Sequence, residues 1–221
     1  MNNHLKIAVI IGATGLVGSK LLEFLLQDKR YSKIKVFHRR PTGISNSKLE
    51  EYIINFDSPE TWKDLIIGDE LYSTLGTTLK TAGSKEAQYK VDFEYQFQFA
   101  KYGLNNDIKK YALVSSMGAT TSTSNFYLKM KGSLDDAISH LGFEKLLILR
   151  PSLLLGDRQK KRLGERISEP MLKIVTKLPI LRNYAPIHAL DVAKAMINGM
   201  NSELSQPIYE GEEVKSLAAL H

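Results

Sequence analysis

The sequence lacks several residue patterns, and each absence excludes a class of chemistry. It has no cysteine, which excludes disulfides, thiolate catalysis and cysteine-based zinc sites. Its 5 histidines lie far apart and show no HExxH spacing, so no metal site is predicted. The N-terminal apolar run, Leu5–Ile11, is far too short to cross a bilayer, and Gly-Ala-Thr-Gly follows it where a secretory signal would need a cleavage region. We therefore expect a cytoplasmic protein without a membrane span.

The bulk composition sets the size and number of domains. At 221 residues, of which 43% are apolar and 24% charged, the chain is long enough for one large α/β domain and short for two. Its net charge of +6 comes from Lys and Arg residues spread along the whole sequence. The densest basic cluster, 158–166, is short and has no interleaved aromatic residues. We interpret it as a surface loop or a flap over phosphates, and we expect no nucleic-acid partner.

Apolar runs typical of strands alternate with segments of helical spacing. We predict strands at Leu5–Ile11, Ile34–Phe37, Tyr52–Phe56, Glu70–Leu75, Lys110–Ser115 and Lys145–Leu149. Helices are predicted at Gly15–Lys29, Ser84–Leu104, Asn125–Leu141 and Leu190–Met200, with a further helix beginning at Ser58. This alternation predicts an α/β protein of Rossmann type, with a doubly wound parallel sheet. We expect a single domain, 1–221, in which 151–221 contributes a small C-terminal lobe on the substrate side.

The segment 12–18, GATGLVG, is a glycine pattern that follows the first strand and opens the first helix. Glycine permits a tight turn and a close approach of the backbone to a pyrophosphate, while the helix N-terminus offers free N–H groups to the phosphate oxygens. Strand, glycine turn and helix in this order form the context that a dinucleotide site requires. The predicted contacts are Gly12, Thr14, Gly15, Leu16, Val17 and Gly18.

Three further segments are expected on the cofactor side of the sheet. Arg39 and Arg40 end the second strand, where NAD-preferring proteins usually carry an acidic residue, and guanidinium groups suit the 2′-phosphate of NADP(H). Asp57 follows the third strand, where it could bind an adenine amine or cap the next helix. The turn after the fourth strand contains a glycine that permits close approach to a nicotinamide ribose, although a plain turn explains it equally well. The predicted contacts in that turn are Leu75, Gly76 and Thr77.

A Ser/Tyr/Lys set follows the dinucleotide motif along the chain. Ser115 and Ser116 end the fifth strand, and Tyr127 and Lys131 lie on the next predicted helix. A spacing of four residues places Tyr and Lys on the same helix face, where an ammonium group favours the phenolate form of the tyrosine. The tyrosine can then exchange a proton with a carbonyl or carbinol oxygen that a serine hydroxyl holds.

Taken together, these motifs resemble an atypical or extended short-chain dehydrogenase/reductase, in particular the Tat-interacting-protein-like oxidoreductase branch. The match is carried by GATGLVG at 12–18, HRR at 38–40, LGTT at 75–78, VSSMGA at 114–119, SNFYLKMK at 124–131 and LRPSLLLGDRQ at 149–159. The resemblance implies that Tyr127 donates or accepts the proton and that Lys131 also holds the nicotinamide ribose. It implies that Ser116, in preference to Ser115, polarises the substrate carbonyl.

The resemblance also places Leu153 and Arg158 near the nicotinamide and phosphate end of the cofactor. The leading hypothesis is an NADP(H)-dependent oxidoreductase acting on a small carbonyl or alcohol. An NADPH-binding regulatory or redox-sensing protein is the alternative, because the family includes proteins with regulatory roles. A nucleotide-sugar epimerase is a third hypothesis, for which the chain is short.

The predicted helix 84–104 carries aromatic residues at helical spacing on two of its faces. This pattern is typical of core packing, but two aromatic faces are more than a monomer core needs. Corresponding helices often pair between subunits in the superfamily that the sequence resembles. We therefore expect a homodimer formed through the helices 84–104 and 125–141.

Overall fold

The computed structural model describes residues 5–156 and 185–220, and a parallel sheet of seven strands lies at its centre. The described strands are β1 (Lys6–Ile11), β2 (Tyr31–His38), β3 (Leu49–Ile53), β4 (Glu70–Ser73), β5 (Lys110–Val114), β6 (Lys145–Arg150), β7 (Leu154–Leu155), β8 (Ile187–His188) and β9 (Ile208–Glu210). Their order in the main sheet is β3-β2-β1-β4-β5-β6-β9, while β7 and β8 form a separate parallel pair. The order reverses at β1, which lies between β2 and β4.

Helices cover both faces of the sheet. They are α1 (Leu16–Gln27), α2 (Leu79–Ala82), α3 (Lys85–Tyr89), α4 (Tyr95–Asn105), α5 (Phe126–Ser139), α6 (Ala189–Asn201) and α7 (Glu212–Ala218). A π-helical segment, Lys90–Glu94, joins α3 to α4, and we call 85–105 the long helix. The segments Pro59–Thr61 and Lys63–Leu65 are short 3₁₀ helices.

The core consists of two apolar layers, one on each face of the sheet. In β1, Ala8 and Ile10 face one layer, and Val9 and Ile11 face the other. Helices α1, α6 and α7 pack on the first layer, whereas α4 and α5 pack on the second. Because both faces of β1 are covered, its sequence is apolar from Ile7 to Ile11, as expected for a parallel strand at the centre of a doubly wound sheet. The predicted fold class is therefore confirmed.

The third predicted strand was wrong in position. Residues Leu49–Ile53 form β3, with Leu49 opposite Ile34 and Ile53 opposite His38, so the strand begins and ends earlier than the predicted Tyr52–Phe56. Phe56 is apolar for a different reason: its ring packs on Tyr95 at 5.1 Å and on Trp62 at 6.1 Å. Phe56 therefore extends the apolar run of the sequence because it belongs to an aromatic cluster that lies beyond the strand.

Other element boundaries differ by a few residues, and two helices differ in kind. The helix expected at Ser58 is replaced by the two 3₁₀ helices, and the Ser58 side chain makes no capping hydrogen bond. The long helix begins as predicted, with Ser84 Oγ accepting a hydrogen bond from Ala87 N at 3.1 Å, but it contains the unpredicted π-helical segment. The substrate-side lobe at 151–221 stays a prediction, since 157–184 lies outside the described residues.

Candidate functional site

The glycine turn lies where the strand order reverses, which is the usual ligand crevice of a doubly wound sheet. Gly12 has a φ of +84°, and a Cβ there would lie 2.5 Å from the backbone of Thr74 and Leu75. The Gly12 carbonyl accepts a hydrogen bond from Gly15 N at 2.9 Å, and a Cβ on Gly18 would also press on that carbonyl. These contacts allow β1, β4 and α1 to meet closely.

No side chain of the described residues caps the N-terminus of α1 or competes with an anion for its N–H groups. Gly15 occupies the N-cap position without a side-chain hydrogen bond, and the first turn contains no acidic residue. Thr14 and Gly15 are exposed, Leu16 is half-buried, and Val17 and Gly18 are buried. The N–H groups and the positive end of the helix dipole are therefore available to an anion such as phosphate.

Two cations stand at the end of β2. Arg39 and Arg40 are exposed and form no ion pair with another residue of the described ranges. The preceding His38 is buried, and its Nε2 lies 3.2 Å from Glu51 Oε1. Burial lowers the pKa of His38, an effect that the Glu51 carboxylate opposes. Glu51 also accepts a hydrogen bond from Thr42 N at 2.7 Å, so it holds the loop that follows the two arginines.

Asp57 is already engaged by two groups of the long helix. Its Oδ1 accepts a hydrogen bond from the Tyr95 hydroxyl at 2.8 Å and lies 2.7 Å from Lys90 Nζ. These hydrogen bonds hold the pKa of the Asp57 carboxyl below its usual range. Asp57 caps no described helix, and the predicted contact with an adenine amine stays a prediction.

The turn after β4 is tied to a buried carboxylate that sequence reasoning missed. Asp92, only 1% exposed, lies in the π-helical segment, and its Oδ1 accepts a hydrogen bond from Thr77 N at 2.7 Å. Burial raises the pKa of Asp92, which the ammonium of Lys131 and the Thr77 N–H oppose. Gln88 and Gln96 are also buried, one helical turn to either side. In the sequence, Gln88, Asp92 and Gln96 recur at a spacing of four, and aromatic residues flank them on both sides of the helix. This pattern indicates a buried polar face, because a polar face directed to solvent would not be flanked by aromatic residues on both sides.

Helix α5 carries the predicted Tyr and Lys, and its start is fixed by Asn125. The Asn125 side chain caps the helix by accepting a hydrogen bond from Leu128 N at 3.1 Å. Tyr127 lies in the first turn and is 38% exposed. Lys131, one turn further along, is only 4% exposed, and its Nζ donates to the Val114 carbonyl at 3.1 Å. The structure thus brings Lys131 to the end of β5, two residues before Ser116.

The two serines after β5 differ in their surroundings. Ser115 is buried, and its Oγ has no hydrogen-bond partner of good geometry within the described ranges. Ser116 is half-buried, with its Oγ 3.4 Å from the Met117 carbonyl. Ser115 lies on the side of Asp135, where it opposes the rise in the pKa of that carboxyl that burial causes. Of the two hydroxyls, that of Ser116 is the more accessible.

An ion-pair network that begins at the buried Asp135 supports this end of the sheet. Asp135, on α5, pairs with Arg150 at the end of β6 through an Nε–Oδ2 distance of 2.8 Å. Arg150 also lies 3.6 Å from Glu210 at the end of β9. Glu210 Oε1 in turn accepts a hydrogen bond from Gly118 N at 3.1 Å. Burial raises the pKa of Asp135, which Ser115, Lys131 and Arg150 oppose.

A cleft of about 420 Å³ opens beside Tyr127. Its described lining consists of Thr77, Thr78, Leu79, Lys85, Gln88, Asn125, Phe126 and Tyr127. The cleft therefore brings the turn after β4 and the start of α5 together, with Thr77 and Tyr127 on its walls. Leu153 is 42% exposed next to β7, while Arg158 lies outside the described residues, as does the whole basic cluster 158–166.

Within residues 5–156 and 185–220, every helix is too short or too polar to span a lipid bilayer. No group of three or more His, Asp or Glu side chains there is placed to hold a metal ion.

The chain is similar along nearly its whole length to fungal proteins. A protein of Candida albicans, "Protein FMP52, mitochondrial", is 34% identical over 221 residues, which cover 95% of this chain and 96% of that protein. Relatives from other yeasts and from moulds carry the same name. The expectation of a cytoplasmic protein is contradicted by these mitochondrial relatives. It was wrong because excluding a secretory signal and a membrane span leaves other destinations open.

Solved structures of low sequence identity share the fold. The enzyme WbmH of Bordetella bronchiseptica, determined in complex with NAD⁺, superposes with a TM-score of 0.70 at 15% identity, covering 94% of this chain and 76% of WbmH. The ADP-L-glycero-D-manno-heptose-6-epimerase of Helicobacter pylori gives a TM-score of 0.69 at 16% identity, covering 98% of this chain and 82% of the epimerase. The predicted short-chain dehydrogenase/reductase resemblance is thereby confirmed at the level of the fold.

A family model provides the remaining comparison. The model named HIM1 matches residues 54–184, which make up more than half of the sequence. The matched stretch contains the turn after β4, the long helix and the whole of α5. The chain belongs to the HIM1 family.

Proposed function

We propose that this protein is an NADP(H)-dependent oxidoreductase of the short-chain dehydrogenase/reductase superfamily, which reduces a small carbonyl compound or oxidises the corresponding alcohol. The observation that carries the proposal is the arrangement on α5. Tyr127 opens into a cleft, while Lys131 on the next turn is buried against the carbonyl of Val114. A half-exposed phenol supported by a buried ammonium is suited to exchanging a proton with a ligand in that cleft.

The residues at the sheet edge fit a phosphorylated dinucleotide. The uncapped N-terminus of α1, with Gly12, Thr14, Gly15, Leu16, Val17 and Gly18, would hold the pyrophosphate. Arg39 and Arg40, exposed and without ion-pair partners in the described part of the chain, would hold a 2′-phosphate, which favours NADP(H) over NAD(H). The bound nicotinamide would supply or accept a hydride.

The remaining roles are proposed from the family resemblance, and the position of each residue supports them. Tyr127 would hold or release the proton at the substrate oxygen, and Ser116 would donate a hydrogen bond to that oxygen. Ser116 is favoured over Ser115, because the Ser115 hydroxyl is enclosed. Lys131 would bind the nicotinamide ribose and favour the phenolate form of Tyr127. Residues proposed to surround the rest of the cofactor are Asp57, Leu75, Gly76, Thr77, Leu153 and Arg158.

Cofactor choice is tested by thermal-shift titration with NADPH, NADP⁺, NADH and NAD⁺. Binding to the folded state raises the melting temperature by mass action, so stabilisation by NADP(H) alone supports the proposal. The variants Arg39→Ala and Arg40→Ala should lose that selectivity while keeping the melting temperature of the free protein. Equal stabilisation by all four nucleotides would reject the NADP(H) assignment.

Catalysis is tested with a panel of small carbonyl compounds and NADPH. We expect Tyr127→Phe to abolish turnover on any substrate found while leaving NADPH binding intact, because the variant loses only the proton-transferring hydroxyl. Full activity of Tyr127→Phe would reject the catalytic assignment. Tight NADPH binding without turnover across the panel would favour a regulatory or redox-sensing protein.

Two further points belong to this proposal. Nucleotide-sugar epimerases share the fold, and this chain matches 82% of the heptose epimerase, so epimerisation stays the third hypothesis. A homodimer is proposed through the long helix and α5, where the rings of Tyr89, Phe93 and Phe97 form a half-buried stack with centroid distances of 4.8 and 6.0 Å. A light-scattering mass of one chain would reject the dimer.

The names of the fungal relatives support a mitochondrial location for this protein as well. Import of the tagged full-length chain into isolated mitochondria would test this location.

A further inference from the structure

The residues that line the cleft beside Tyr127 indicate which kind of molecule it accepts. Most of its neutral polar groups already have partners. The Thr78 hydroxyl lies 2.9 Å from that of Thr81, and the Asn125 side chain caps α5. The Gln88 side chain donates to Asp92 at 3.4 Å. The Thr78 hydroxyl, the Asn125 Oδ1 and the Gln88 Nε2 are therefore already engaged within the protein.

The charge on the cleft wall is positive. Lys85 is the charged residue among the described lining residues, and no Asp or Glu accompanies it there. Its Nζ lies 5.5 Å from the centroid of the Phe126 ring, and it forms no ion pair with another described residue. Hydrogen bonds with its own backbone and with Ser84, together with the nearby Lys85 charge, lower the pKa of the neighbouring Glu86 carboxyl, but Glu86 forms no ion pair with Lys85. The Lys85 ammonium is therefore free to pair with an anion.

Most of the surface that lines the cleft beside Lys85 and the phenol is apolar. Leu79 is 47% exposed at the cleft, and the rings of Phe126 and Tyr127 lie beside it. Apolar side chains left open at a cleft gain free energy when a ligand covers them. A ligand that matches this wall has an apolar body between two polar ends.

We propose that the cleft accepts a small carbonyl compound with an apolar body and a carboxylate, and that Lys85 binds the carboxylate. The inference rests on the proposed function, because Tyr127 is taken to meet the carbonyl end. It adds the substrate class and a specificity-determining residue. Lys85 is exposed on the first turn of α3, so its replacement removes the charge without disturbing the core.

The test measures binding, so that it does not depend on turnover. Straight-chain carboxylates of increasing length and the corresponding neutral amides, such as hexanoate and hexanamide, are titrated calorimetrically with and without saturating NADP⁺. We expect the wild type to bind the best carboxylate about three- to tenfold more tightly than its amide, as for a partly shielded ion pair. Lys85→Gln should remove this preference, Lys85→Arg should keep it, and Lys101→Gln, at the other end of the long helix, should have no effect.

Each other outcome overturns the inference. Equal affinity for carboxylate and amide, a preference that survives in Lys85→Gln, or no binding of either series would each do so. Those results leave the nucleotide titrations and the Tyr127→Phe assay unaffected, so failure of this inference is distinguishable from failure of the proposed function. The opposite result is also informative. If the protein binds no nucleotide but prefers the carboxylate through Lys85, the anion site is supported and the oxidoreductase proposal is rejected.

Discussion

Thr77 and Asp92 are joined by a hydrogen bond of 2.7 Å from the Thr77 backbone N–H to the carboxylate Oδ1. The bond connects the turn after β4 to the π-helical segment of the long helix. π-Helical segments occur frequently at functional sites, and here the segment turns an acidic side chain inward toward Lys131. The predicted nicotinamide side and the predicted catalytic helix are thus coupled through one buried carboxylate.

Replacing Asp92 by alanine should destabilise the fold. The variant leaves the Thr77 N–H without its acceptor and Lys131 without a facing carboxylate, and we expect a loss of about 1–3 kcal/mol in the free energy of unfolding. Asp92→Asn keeps an acceptor oxygen and should lose less. Urea unfolding of both variants measures the difference. Equal losses would show that the hydrogen bond to Thr77 contributes nothing.

The same carboxyl should make stability depend on pH. Burial raises the pKa of Asp92 above the ordinary value of 3.8, so the folded state binds the proton more tightly than the unfolded state. The resulting contribution to stability is complete below pH 3.8 and is lost as the pH rises through the folded pKa. Relative to Asp92→Asn, the wild type should therefore become less stable as the pH increases from about 4 toward neutrality. Urea titrations across that interval would contradict this if the difference stayed constant.

Gly12 and Gly43 form a matched pair for testing the glycine turn. Both have a positive φ, +84° and +76°, but a Cβ would collide with the Thr74–Leu75 backbone only at Gly12, since Gly43 has open space. We expect Gly43→Ala to cost about 1–2 kcal/mol from backbone strain alone. Gly12→Ala should cost about 1–3 kcal/mol more, from overpacking, and should weaken nucleotide binding. Similar unfolding energies for the two variants would mean that the close approach of β1 and β4 is unimportant.

The Asp135–Arg150 pair should behave as a buried ion pair. Arg150→Met removes the guanidinium from a carboxylate that is 2% exposed, and we expect a loss of about 3 kcal/mol in unfolding free energy. The double variant with Asp135→Asn should recover a large part of it, because no uncompensated carboxylate is left buried. Arg30→Met, which breaks the surface pair with Asp28, is the control and should cost less than about 1 kcal/mol. If Arg150→Met lowers the free energy of unfolding by no more than Arg30→Met does, the Asp135–Arg150 pair contributes no more than a surface ion pair.

The sequence was sufficient to predict the fold because its signals are local. The apolar run of β1, the glycine turn and the capping residues Ser84 and Asn125 each act within a few neighbouring residues. The error at β3 arose where Phe56 is apolar because of a distant partner, the ring of Tyr95. Local spacing cannot separate a strand residue from one that packs beyond the strand.

The candidate site was predicted only in part, for the same reason. Tyr127 and Lys131 share a helix, so their spacing reveals them, and the structure places Lys131 against β5. Asp92 and Glu210 act through residues far away in the sequence, Thr77 and Gly118 respectively. The residues next to each acid in the sequence do not indicate its hydrogen-bond partner. The two pairs can be recognised only in the assembled fold.

The hydrogen bond from Gly118 to Glu210 has a consequence for the order in which the protein matures. The loop that follows Ser116 is held by a residue of β9, the strand at the end of the sheet, 92 positions later in the chain. During synthesis or passage through a membrane from the N-terminus, every predicted catalytic residue emerges before this support does. A nascent chain therefore cannot form this support of the loop beside Ser116 until Glu210 has emerged and β9 has docked on β6, so the docking of β9 is a late step in the assembly of the site.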